Sequence, residues 1–103
     1  MIKISVTRSR WGSICALKVH NHGDPIVCAA VSVLVLNTVN SIEALTNEKF
    51  SCDFAEEGGF LEIQFSEETL GRDALLLTDS LMLGLKSILE EYPSNIIIEE
   101  VAT

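Results

Sequence analysis

The stretch from Asp24 to Leu45 constrains the fold of this chain more than any other segment. Gly23-Asp24-Pro25 leads into a long apolar run in which Asn37, Asn40 and Glu43 share one polar stripe. An aspartate at this point is a favourable N-cap, and proline fits the first helical position, where no amide proton is needed. The pattern predicts a helix of roughly five turns. Its longest apolar run, Ile26 to Leu36, falls short of the ~20 residues of a membrane span.

On both sides of this helix the hydrophobic period drops to two. Ile2, Ile4 and Val6 alternate with Lys3, Ser5 and Thr7, and after the turn Arg10-Trp11-Gly12 a second strand runs from Ser13 to His20. Trp11, beside the turn, is expected to pack. Phe50, Cys52 and Phe54 alternate again, and Glu56-Glu57-Gly58-Gly59 turns the chain into Phe60 to Phe65, a hairpin pattern. Ser66 is the candidate N-cap of a second helix reaching about Tyr92, with Leu70, Ala74, Leu77, Leu81, Leu85 and Ile88 at three- and four-residue spacing. Pro93 ends it, and Asn95 to Val101 forms a last strand.

The predicted order is ββαββαβ, an α+β fold with one mixed or antiparallel sheet and two helices packed on it. A length of 103 residues suits one domain with a single core over residues 1–103. Leu75, Leu76, Met82 and Leu83 lie outside the main stripe of the second helix. Either that helix is sunk deep in the core, or it offers a second surface to a partner subunit. A two-layer domain this small rarely covers both sides of a helix, so a homodimer is expected.

An apolar fraction of 48% with only two prolines excludes a disordered chain. The strand-like start is unlike a signal peptide, so a soluble, cytoplasmic protein is expected. The net charge of −8 repels phosphate backbones, which argues against nucleic acid and favours a basic peptide or protein as partner. Cys15, Cys28 and Cys52 are odd in number and irregularly spaced, which fits reduced thiols rather than a disulfide framework.

Cys28 is the residue on which function turns. It falls at the end of the first turn of the long helix, where unpaired amide N–H groups carry partial positive charge and favour a thiolate over a thiol. The N–H groups of Cys28 and Ala29 are candidate donors to the oxyanion formed when a carbonyl is attacked. A leaving group needs a proton, and imidazole is the usual donor. The only two histidines, His20 and His22, both precede Cys28 by a few residues. His20 ends the second strand, and the short connection from Asn21 to Gly23 could bring it beside the first helical turn; His22 sits in the loop itself. Asp24 or Ser32, the latter one turn beyond Cys28, could orient the histidine or the substrate. Against this stands an inert reading: a cysteine within Ile26-Val27-Cys28-Ala29-Ala30-Val31 is commonly a small core residue, as Cys15 and Cys52 are expected to be. His20, His22 and Cys28 could also ligate a metal, but no fourth ligand stands nearby, so neither a metal nor a cofactor is expected.

Val19-His20-Asn21 followed by Asp24-Pro25-Ile26-Val27-Cys28-Ala29-Ala30-Val31-Ser32 resembles the ribosomal-processing cysteine protease family, Prp. That family is marked by a Gly-His-Ala element, a short loop and an Asp-Ile-Val-Cys-Ala-Ala-Val-Ser-like helix start. The likeness continues through Thr38 to Ile42, Gly58-Gly59 and Lys86 to Tyr92, and so covers essentially the whole chain. It implies a homodimeric cysteine endopeptidase that removes the N-terminal extension of the large-subunit ribosomal protein numbered twenty-seven. The partner would be a basic ribosomal-protein segment, which suits an acidic enzyme. The family's nucleophile and histidine fall on Cys28 and His20. Val19 replaces the glycine before the histidine, Asn21 replaces the alanine after it, and Pro25 stands where an aspartate is usual. The second histidine leaves the register open between His20, preferred because it follows the strand, and His22. The altered loop also keeps open a non-catalytic dimeric binding module for a ribosomal protein or assembly partner, in which Cys28 is merely packed.

Overall fold

Seven elements follow one another in the expected order in the computed structural model, which describes residues 1–102. Strands β1 (Ile2–Arg8) and β2 (Ile14–His20) precede helix α1 (Pro25–Leu45). Strands β3 (Phe50–Phe54) and β4 (Phe60–Phe65), helix α2 (Arg72–Glu91) and strand β5 (Ile96–Ala102) complete the chain. The five strands form one sheet in the order β3-β4-β2-β1-β5. The β1–β5 pair is parallel and the other three are antiparallel, so the sheet is mixed.

Both hairpins need only short turns, whereas each helix carries the chain across the sheet. The parallel pair exists because α2 returns the chain from β4 to the far edge beside β1, as a parallel connection requires. Side chains alternate across a strand, so each residue's face follows from its register. Ile2, Ile4 and Val6 of β1, Leu17 of β2, Ile63 of β4 and Ile96 of β5 point into one core with Val27, Val31, Val35 and Val39 of α1 and Leu81, Met82 and Leu85 of α2. Both helices therefore cover the same face. The other face carries Lys3, Lys18 and Glu62, with ion pairs Lys3–Glu99 at 3.4 Å and Lys18–Glu62 at 3.8 Å.

Four local readings are revised. Ser66 does not cap α2: the helix begins at Arg72 behind Gly71, without a side-chain cap. The Gly71 N–H is instead held by the Glu48 carboxylate at 2.8 Å, and Leu70, buried ahead of the helix, anchors the approach. Trp11 does not pack in the interior; it is 63% exposed at the turn tip, with the Arg10 guanidinium 4.9 Å from its ring centre. Of the residues off the main stripe of α2, only Met82 is buried, while Leu76 and Leu83 are 67% and 71% exposed, so α2 is not sunk on every side. The whole of α1, taken with its polar stripe, is also long and apolar enough by length and composition to cross a membrane, contrary to the measure of its Ile26–Leu36 run alone. In this fold that apolar character serves the core on one side, with Ile26 and Val33 left exposed on the other.

Candidate active site

The start of α1 is built as its sequence prescribes. The Asp24 carboxylate accepts from the Ile26 N–H at 2.9 Å and the Val27 N–H at 3.3 Å, and Pro25 has no amide proton to satisfy. The Cys28 N–H is already intrahelical, donating to the Asp24 carbonyl at 2.8 Å. This corrects the expectation of free donors at Cys28 and Ala29. Only the amides ahead of Cys28 fall among the orphan N–H groups of a helix start, and Asp24 occupies those of Ile26 and Val27. An oxyanion would compete with the Asp24 carboxylate for the Ile26 and Val27 amides.

Cys28 is half-buried. It packs against the core on one side and on the other lines a groove of about 320 Å³. Cys28, Val31 and Ser32, at helical spacings of three and four, form one wall together with Leu36. The facing wall comes from Phe54 at the end of β3, from the turn that carries Ala55, Glu56, Gly58 and Gly59, and from Phe60 and Leu61 of β4. Val19, Asn21 and Ile2 close the end. The lining residues are largely apolar, with Asn21, Cys28, Ser32 and Glu56 as the ones that carry polar or reactive side chains. Ser32 thus shares the groove with Cys28, as its spacing predicted.

The two histidines sit on different parts of the chain, His20 at the end of β2 and His22 in the loop that follows it. His20 pairs with Lys3 on β1 and Phe60 on β4, whereas its neighbour Val19 pairs with Ile4, whose side chain is in the core. By alternation the His20 side chain lies on the face of Lys3, opposite the helices and Cys28. That register removes the reason for preferring His20. His22 lies two residues on, beyond the strand, and its ring rests against the Gly58–Gly59 backbone, the same turn that lines the groove. The reversal depends on Asn21, whose φ of +74° is the left-handed region, and whose N–H donates to the Gly59 carbonyl at 3.0 Å. Asparagine tolerates that conformation better than most residues. The Asn21 departure was visible in the sequence, but its φ, which turns the chain after the strand, was not.

The other two thiols stay out of the groove, and among the described residues all three are free. Cys15 donates to the Thr7 carbonyl at 3.3 Å. Cys52 packs against the core, and burial, with a smaller push from the Asp53 carboxylate, raises its thiol above the ordinary value. Among the described residues no cluster of three histidine, cysteine or carboxylate side chains could hold a metal.

A half-buried thiol on a helix wall, open to an apolar groove in a small α+β domain, is a site suited to cysteine hydrolase chemistry. The sequence pattern of the cysteine protease Prp family matches residues 1–97, and the chain belongs to that family. It is 30% identical over 102 residues to the ribosomal processing cysteine protease Prp of Staphylococcus aureus, covering 93% of this chain and 95% of that protein. The Bacillus subtilis protein of the same name is 27% identical over 105 residues, with 93% and 94% covered. The crystal structure of the essential ribosomal processing protease Prp from S. aureus with a covalently linked product peptide superposes with a TM-score of 0.91 at 28% identity, covering 98% of this chain and all of that one. The same protease with a substrate peptide gives 0.90 at 26% identity, with the same coverage.

Proposed function

We propose that this chain is a cysteine endopeptidase that removes the N-terminal extension of the large-subunit ribosomal protein numbered twenty-seven, with Cys28 as nucleophile and His22 as acid–base partner. The observation that carries the reading is that Cys28 and the glycine seat of the His22 ring are walls of one groove. The Cys28 thiolate attacks the scissile carbonyl carbon. As the carbon–nitrogen bond breaks, the His22 imidazolium gives its proton to the departing amine, leaving a thioester on Cys28. Water then attacks the thioester, His22 takes the water's proton, and the thiolate leaves with the new carboxylate released. Ser32, on the same wall, offers its hydroxyl to the substrate.

The φ of Asn21 supports this register. Glycine is the default residue in the left-handed region, so Asn21-His22-Gly23 answers to the family's Gly-His-Ala element better than Val19-His20-Asn21 does. Asp24 then acts first as the helix cap, and its movement off the Ile26 and Val27 amides would free two donors for the oxyanion. A net charge of −8 suits a basic ribosomal-protein segment arriving in the cytoplasm. The exposed Leu76 and Leu83 of α2 fit a homodimer contact.

Cys28→Ala tests the reading. The helix start keeps its cap, so the variant folds, and cleavage of a peptide spanning the ribosomal-protein extension falls by on the order of 10⁶, the scale of losing a nucleophile. Cleavage at the unaltered rate by this variant would contradict it.

A further inference from the structure

On the reading that His22 transfers the proton, we propose that Gly59 is a positioning residue for its imidazole: the bare Cα of Gly59 seats the ring, and the Gly59 carbonyl holds the backbone just before it. Gly58 and Gly59 both have positive φ, +85° and +84°, so an L-side chain strains the backbone equally at either position. Their surroundings differ. A Cβ at Gly59 would lie 2.6 Å from His22 Nε2, 3.0 Å from Cε1 and 3.1 Å from Cδ2, which is inside contact distance for the whole edge of the ring. A Cβ at Gly58 would meet only Cε1, at an ordinary 3.7 Å.

The loop that carries the ring is held at both ends. The Asn21 N–H donates to the Gly59 carbonyl at 3.0 Å, and the His22 carbonyl accepts from the Met1 amino group at 3.2 Å. Gly23 fits so closely on β1 that a Cβ there would come within 2.9 Å of Ile2 Cγ1. With its backbone fixed on either side, the remaining freedom of His22 is the ring itself, and Gly59 is what the ring rests on. A methyl at Gly59 would push an exposed side chain aside, which costs the fold little and the alignment with Cys28 a great deal.

Steady-state cleavage of the extension peptide by Gly59→Ala and Gly58→Ala, with thermal unfolding of both, separates ring placement from backbone strain. The expected result is equal loss of stability in the two variants, with kcat of Gly59→Ala about 100-fold lower, the scale of misplacing a reacting group by about 1 Å. The KM of Gly59→Ala should change little, and Gly58→Ala should lose far less kcat. Equal kcat losses, a loss confined to KM because the methyl obstructs the groove, or unfolding of Gly59→Ala alone would each overturn the proposal. The unaltered protein supplies an independent reading by NMR: Gly59 α-protons show cross-relaxation to the His22 ring protons, and absence of that signal overturns the proposal whatever the variants do. His22→Ala in the same assay isolates the underlying reading. If it cleaves normally the role of His22 falls, whereas an inactive His22→Ala beside a fully active Gly59→Ala removes only the role of Gly59.

Discussion

On one face of the sheet Ile2, Ile4, Val6, Leu17 and Ile63 are each at most 2% exposed beneath two helices. On the other face Lys3 and Lys18 reach across to Glu99 and Glu62 in ion pairs open to water. The groove, Cys28 and the seat of His22 belong to the covered side, and His20 belongs to the bare one. Two histidines only two residues apart thus have different surroundings, His20 between Lys3 and Phe60 in the sheet and His22 against the Gly58–Gly59 turn. The difference arises because the strand ends between them and Asn21 turns the chain. Near a strand end, the backbone conformation of one residue decides where the next side chain is carried.

The contrast between faces can be broken most severely by cutting into the covered side. Ile4→Ala leaves a cavity beneath the helices and should cost about 2–5 kcal/mol in urea unfolding. Ser5→Ala, its neighbour on the bare face, should stay within about 0.5 kcal/mol. Comparable losses at the two positions would mean that the faces are not distinct. A smaller effect is expected at the helix start that borders the groove. Asp24→Ala removes the acceptor of two amide protons and should cost about 1 kcal/mol; no loss would mean that solvent caps α1 equally well. Smallest of all is Lys18→Ala on the bare face, about 0.2–1 kcal/mol and shrinking as salt is added. A larger, salt-insensitive loss would show that the bare face is covered in solution.

Much of this was legible in the residues. The alternation of Ile2, Ile4 and Val6 and the Asp24-Pro25 start each have one dominant physical reading, so the strand, the helix boundary and the element order follow from them. The start of α2 did not follow, because a serine followed by two glutamates fits a cap as well in the sequence as Gly71 does. The choice was made by Glu48, 23 residues away, whose carboxylate holds the Gly71 amide. Cys28 and Ser32 were placed on one wall by helical spacing alone. The placement of the two histidines was not legible, since it depends on the left-handed φ of Asn21 and on Gly59, in a distant hairpin turn. Trp11 escaped for a related reason: an aromatic ring beside a turn can fold inward or lie under an arginine, and here Arg10 covers it.

The claim at the centre of this account is that the imidazole serving Cys28 comes from the loop and not from the strand. Parallel kinetics of His22→Ala and His20→Ala on the extension peptide test it directly. The account predicts a fall of about 10²–10⁴-fold in kcat for His22→Ala, the scale of losing general acid–base catalysis, and at most about a threefold change for His20→Ala, as for a surface substitution away from the site. The reverse pattern, with His20→Ala inactive and His22→Ala near full rate, would contradict it.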